Sequence, residues 1–296
     1  VLEVLKERSP DMPANVILPT NTFAATALAA ERAGFTVRLC DIKPDTLGID
    51  YEQAIAMIDE QTRAIIPVHI GGLVDTDLAK YMPVFKERRV FVLEDAAHAI
   101  GSKPDLQGDV AVTSFFATKV FTGGEGGAIL TNDTVLADKY RSKRNFGKAK
   151  EWESVYSERG WNYRMPELVA CMVAEELERA DEILKERQHI AGLYAEAFPD
   201  RIVGPVDHVE RSNWYKVVYM TKFGSERAKK TMEKQGIGLQ GGVYDLPLHK
   251  QKLWPVSQEF PVADHYLPLH ICLPIFRGMT DKQVQQVIKT IQKEDL

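Results

Sequence analysis

Short apolar runs, mostly β-branched, alternate with stretches of helical period along the first half of the chain, and no other feature limits its fold as much. Val16–Leu18, Thr36–Cys40, Ala64–Val68, Val90–Leu93 and Val110–Ser114 read as buried strands. Thr22–Ala33 and Asp77–Arg88 have helical spacing. Parallel strands need crossovers of this kind, so the pattern predicts an α/β fold with a mostly parallel central sheet and helices on its faces. Gly126–Thr131 is a further strand run. It follows Ser114 too closely for a crossover helix, which predicts an antiparallel pairing through a tight loop.

The pattern changes after Phe146. Residues 147–161 are polar and mixed, and Pro166 to Phe198 reads as one long helix started by the proline. Beyond it, Trp214–Thr221 reads as a strand, Ser225–Gln235 as a helix ended by Gly236, and Asp281–Gln292 as a helix capped by Thr280 or Asp281. The predicted organisation is a large α/β domain over 1–165, a linking helix over 166–198 and a smaller C-terminal α+β domain over 199–296. A chain of 296 residues has room for both domains.

Charge and cysteine usage narrow the class of partner. Lys and Arg number 37 against 42 Asp and Glu, a net charge of −5 that gives no footprint for nucleic acid or an anionic membrane. Small molecules and other protein chains are the expected partners. No run of about 18 apolar residues is present, so no membrane-spanning helix is expected. Cys40, Cys171 and Cys272 are far apart and lack metal-ligand spacing. They read as structural thiols of a reducing, cytoplasmic compartment, with no metal site. Val1–Lys6 resembles the middle of an amphipathic helix and not a signal peptide, so the natural protein is expected to begin upstream.

Residues 94–127 concentrate the chemistry. Asp95 falls at the carboxyl end of a parallel strand, where open α/β sheets place ligands, although a carboxylate there also suits a helix cap. Lys119 lies after the next strand, among Ser114, Thr118 and the glycine-rich stretch Gly123–Gly127. Pyridoxal phosphate (PLP) chemistry calls for such a set. An amine forms a Schiff base, an Asp keeps the pyridine nitrogen protonated, and hydroxyl and backbone N–H groups hold the phosphate. A flat or apolar residue, such as Phe23, must cover the ring.

Six segments in this order resemble the DegT/DnrJ/StrS group of nucleotide-sugar aminotransferases. They are Asn21–Thr26, Pro67–His69 with Gly72, Glu94–His98, Ser114–Lys119 with Gly124–Gly127, Asn162–Met165 and Leu246–His249. The resemblance implies an aspartate-aminotransferase-like fold of type I and a homodimer with its sites at the interface. The implied reaction moves an amino group from L-glutamate to a keto-sugar attached to a nucleotide, as in amino-sugar and polysaccharide biosynthesis. By the same resemblance Lys119 is the Schiff-base lysine and proton shuttle, and Asp95 the partner of the pyridine nitrogen. His98 stands near the ring's phenolic oxygen, Ala97 and Phe23 lie on its two faces, and Ser114 binds phosphate. Asn162 reaches the cofactor of the neighbouring subunit. The family's Gly-Thr phosphate-binding segment would precede Val1, so the large domain is expected to be short at its N-terminus.

His69, Tyr163 and Arg164 are candidate substrate contacts, with a packed, hydrogen-bonded histidine as the other reading of His69. Trp152, Trp161 and Tyr163 could stack on a sugar or base, or belong to a subunit interface. Two other functions remain open. One is sugar dehydration on the same cofactor, where that branch of the family has a His in place of the lysine. The other is a non-catalytic, regulatory descendant lacking the N-terminal phosphate grip.

Overall fold

The computed structural model describes residues 1–8, 10–103, 105–150, 152–204 and 211–296. In chain order it contains α1 (Leu2–Lys6), β1 (Asn15–Pro19), α2 (Ala24–Arg32), β2 (Thr36–Cys40), α3 (Tyr51–Ala56), β3 (Thr62–Ile65), α4 (Leu78–Glu87) and β4 (Phe91–Asp95). There follow β5 (Val110–Ser114), β6 (Gly127–Leu130), α5 (Thr134–Arg144), α6 (Glu167–Glu178) and α7 (Ala180–Ala197). The remainder is β7 (Val217–Met220), α8 (Ser225–Lys234), α9 (Pro261–Tyr266), β8 (His270–Leu273) and α10 (Asp281–Glu294).

Six strands form one sheet in the order β2-β1-β3-β4-β5-β6, while β7 and β8 pair separately. Every pairing from β2 to β5 is parallel. The sixth strand runs antiparallel, with Ser114 opposite Gly127, as its short connection predicts. All five residues of β1 are buried. Val16 and Leu18 enter one core and Ile17 another, because successive side chains on a strand face opposite sides and helices cover both. The chain leaves β1 toward β2 on one side and builds the rest of the sheet on the other. Such a reversal opens a crevice at the carboxyl ends of the strands.

The long helix expected over 166–198 is instead two helices broken at Arg179 (φ −100°, ψ 15°). Pro166 is extended just before the first of them. No Gly or Pro marks the break; packing sets it. The α7 helix buries Ile183, Ile190 and Tyr194, whereas α6 exposes Leu168, Met172 and Cys171. Cys171 is exposed, whereas Cys40 and Cys272 are buried.

The second core gathers α7, β7, β8, α8 and α10. Val284, Val287, Ile288 and Ile291 form the apolar face of α10, which begins with a capping box between Thr280 and Gln283. Residues between α8 and β8 return to the first core. Leu248, Trp254, Phe260, Ala263 and Leu267 pack with Val16, Leu18 and Ala27. Leu248 N–H donates to Thr20 O at 2.9 Å, and Trp254 Nε1 to Glu31 at 2.8 Å.

A short strap fastens the start of β7 to the large sheet. Asn213 Nδ2 donates to the carbonyls of His98 and Ile100, both at 2.8 Å, and its Oδ1 accepts from Tyr215 N at 2.9 Å. Lys216 N donates to Gly71 O at 2.9 Å. Arg187 caps the same turn by donating to the carbonyls of Asn213 and Trp214. Gly72 is required beside this strap, because a Cβ there would lie 2.0 Å from Asn213 Oδ1. Among the described residues no helix is long and apolar enough to cross a membrane.

Candidate active site

At the end of β4 the strand's alternation sends adjacent carboxylates to opposite sides. Glu94 turns inward and is fully buried. Its Oε2 meets His69 Nε2 at 2.7 Å, and its Oε1 accepts from Gln107 N at 2.6 Å and from Gly108 N. Asp95 faces a cavity of about 2160 Å³ that Phe23, Ala97, His98, Ser114 and Lys119 also line. Its Oδ1 accepts from Ala97 N at 3.1 Å and its Oδ2 from Thr26 Oγ1 at 2.7 Å. The cap-like bond and the ligand-facing position therefore coexist in one carboxylate. Thr26 is itself held by Thr22 Oγ1 at 2.8 Å.

The turn after β5 presents Lys119, whose Nζ sits 4.7 Å from the centre of the Tyr215 ring. Thr118 Oγ1 fixes that ring through the Tyr215 hydroxyl at 2.9 Å. Burial lowers the Lys119 ammonium to about 8; Asp95 opposes the shift and Lys216 adds to it. The sign favours the neutral, nucleophilic amine above that pH. At pH 8 about half of the Lys119 amines are neutral, against about one in 250 for an ordinary lysine. We expect acetic anhydride labelling of cofactor-free protein, followed at the Lys119 peptide by mass spectrometry, to rise with pH about a midpoint near 8. A midpoint at or above about 10 would contradict this environment.

His98 is buried, and its Nδ1 accepts from Gly71 N at 3.3 Å. Its ring lies 4.5 Å from that of Tyr215 and 6.0 Å from that of Tyr244. Burial, with the charges of Lys119 and Lys216, pushes it well below the usual histidine range. It is therefore neutral, and because Nδ1 accepts, its proton is on Nε2. Tyr244 is held protonated by burial first and by Asp95 second. Ser114 Oγ accepts from Phe116 N at 3.2 Å at the end of β5. Phe23 is 64% exposed at the start of α2, with its ring 6.4 Å from that of Tyr244.

Other expected residues have different placements. His69 is fully buried and paired with Glu94, outside the cavity lining, so the packed reading replaces that of a substrate contact. Tyr163 and Arg164 do line the cavity. Tyr163 stacks with Trp161 at 6.2 Å, and the Arg32 guanidinium lies 5.4 Å and 6.0 Å from the Trp161 and Tyr163 rings. Arg164 donates to Asn145 at 3.0 Å. Asn162 is exposed, bridges to Asn145, and does not line this chain's own cavity. Thr26, Tyr215, Lys216 and Tyr244 also line the site, and sequence reading did not single them out. Tyr215 and Lys216 sit in an ordinary strand-like run whose spacing says nothing of Lys119.

An amine with a lowered pKa, a carboxylate fixed by two donors, a hydroxyl at a strand end and an exposed aromatic ring share one cavity. This set fits pyridoxal phosphate. The model of the DegT/DnrJ/EryC1/StrS aminotransferase family matches residues 4–292. The spore coat polysaccharide biosynthesis protein SpsC of Bacillus subtilis is 32% identical over 94% of this chain and 78% of that protein. The UDP-N-acetyl-3-dehydro-alpha-D-glucosamine 3-aminotransferase of Acidithiobacillus ferrooxidans is 30% identical over 94% of this chain and 77% of that protein. A DegT/DnrJ/EryC1/StrS aminotransferase from Brucella abortus superposes with a TM-score of 0.89 at 27% identity, covering 99% of this chain and 83% of that one.

Proposed function

The chain belongs to the DegT/DnrJ/EryC1/StrS aminotransferase family, and from that premise we propose that it transfers an amino group from L-glutamate to a nucleotide-linked keto-sugar. Enzymes of this family, this one included, depend on pyridoxal phosphate. The bound cofactor supplies an aldehyde and a ring that withdraws electrons from the carbon that loses its proton. The balanced exchange converts L-glutamate to 2-oxoglutarate and the sugar ketone to an amine.

The observation that carries the reading is the meeting of Lys119 and Asp95 in one cavity, at the ends of neighbouring parallel strands. The Lys119 amine would be the covalent attachment point of the cofactor and would then carry the proton that leaves the donor carbon. Asp95, held by Thr26 and Ala97, would set its charge against the pyridine nitrogen of the bound cofactor. In the bound state neutral His98 would donate from Nε2 toward the cofactor's phenolic oxygen, Ser114 would hold the phosphate, and Phe23 and Ala97 would enclose the ring. Lys119 also separates this reading from sugar dehydration, whose branch of the family has His there. The nucleotide-linked acceptor is supported by the name of the 30% identical relative.

A homodimer is part of the same reading. Asn162 is exposed and does not line its own cavity, and Leu168 and Met172 present an apolar face at 81% and 54% exposure. In a dimer Asn162 would reach the partner's phosphate, and Tyr163 and Arg164 would meet substrate. Adding L-glutamate alone to the cofactor-loaded enzyme is expected to bleach its visible absorbance with release of one 2-oxoglutarate per site. A nucleotide-linked keto-sugar should then restore the absorbance. Failure of the first step with a range of amino acids would remove the aminotransferase reading.

A further inference from the structure

Lys216 has no part in the roles assigned so far. It is the last residue of the strap before β7, so its backbone is fixed to Gly71 while its side chain reaches the cavity. Its Nζ stands 5.1 Å from the centre of the Tyr215 ring, and Lys119 Nζ stands 4.7 Å from the same centre. Two ammonium groups thus share one aromatic ring. The hydrogen-bond partner of Lys216 is the neutral carboxamide of Gln240, at 2.6 Å.

Of the other cations lining the cavity, Arg164 also donates to a neutral carboxamide, that of Asn145, but lies over the Phe146 ring, and three more are engaged with acids or rings. Arg141 pairs with Asp138, Lys143 with Glu7 and Glu158, and Arg32 lies over Trp161 and Tyr163. Placing a second positive charge so near Lys119 is unfavourable for the empty site: it lowers the charged form of both Lys119 and His98. An anion arriving between Lys216 and Lys119 relieves that repulsion.

We propose that Lys216, with Gln240 beside it, binds the α-carboxylate of the amino donor. The inference rests on the aminotransferase reading and adds the residue that recognises the donor. An amino acid bears its carboxylate on the carbon that carries the amine. Once that amine is at the Lys119 position, its carboxylate must lie within a few ångströms, where a fixed cation gives a charge-assisted hydrogen bond. Gln240 accepts from Lys216 and retains an amide N–H2 group for the second carboxylate oxygen. A diphosphate is also an anion, but the distance of its charges from the reacting sugar carbon does not require a cation over the Tyr215 ring.

The test uses cofactor-loaded enzyme and the variants Lys216→Met and Lys216→Arg. Glutarate, which has the donor's carboxylates but no amine, is titrated by calorimetry and by its shift of the visible band; UDP serves as the nucleoside diphosphate probe. Lys216→Met should weaken glutarate at least tenfold and raise the half-saturating L-glutamate concentration for bleaching by a similar factor. It should leave UDP binding within twofold, and Lys216→Arg should recover most of the loss. Unchanged glutarate binding in Lys216→Met overturns the proposal, and so does a loss confined to UDP. If no amino acid bleaches the wild type, the aminotransferase reading falls, and the glutarate titration still decides whether Lys216 binds carboxylate.

Discussion

Replacing Lys119 with Ala is expected to lower amino transfer by about 10⁴-fold or more, because covalent attachment and proton transfer depend on the same nitrogen. Borohydride reduction of the cofactor-loaded wild type should leave a covalent adduct on the Lys119 peptide. In Lys119→Ala that adduct should vanish from the whole protein. The fold should tolerate the change, since the ammonium is partly desolvated and its charge is disfavoured where it sits. Thermal unfolding that matches the wild type, together with lost activity, would separate a chemical defect from a folding defect. A reducible adduct persisting elsewhere in Lys119→Ala would refute the assignment. Added methylamine gives a further check, because a small amine entering the vacated space should restore part of the proton transfer while leaving no trapped lysine.

The sheet was legible because its signals are local. A β-branched run such as Val110–Ser114 matches its strand residue for residue, and so does Thr36–Cys40. The β5–β6 antiparallel pair followed from connection length alone. Breaks and closures set by packing were not legible. Arg179 interrupts a sequence of good helix formers because α6 and α7 bury different faces, and local propensity has no term for that. The return of Leu248–Leu267 to the first core depends on Thr20, Glu31 and Asp41, which are more than 200 residues away in sequence.

The site divides along the same line. Asp95, Ser114 and Lys119 stand at strand ends or in the turn after one, so their approach could be read from the alternation of strands and helices. Thr26, Tyr215 and Tyr244 come to them from other parts of the chain. Their roles exist only as contacts: Thr26 orients Asp95, and Tyr215 sits against both Lys119 and His98. The histidines show the limit of residue type as a guide. His69 and His98 both follow apolar strand runs, yet one is locked to Glu94 inside the protein and the other faces the cavity.

Asp95→Asn should lower the rate of donor conversion by about 10²- to 10³-fold, the scale of losing one preorganised electrostatic partner of the reacting system. The substitution keeps the size of the side chain and an oxygen that can accept from Ala97 or Thr26, so the loss isolates the charge. Without that charge the pyridine nitrogen loses its reason to stay protonated, and electron withdrawal from the reacting carbon weakens. The same change acts on Lys119 with a definite sign. Asp95 now raises the Lys119 pKa against burial, so its neutralisation must move the labelling midpoint below about 8. Activity should therefore fall while the lysine becomes more easily deprotonated, a combination that general damage to the site would not produce. Thr26→Val tests the orienting bond separately: it leaves the carboxylate charged, so its effect should be nearer tenfold. A rate in Asp95→Asn within about tenfold of the wild type would mean that the ring nitrogen is governed by another group.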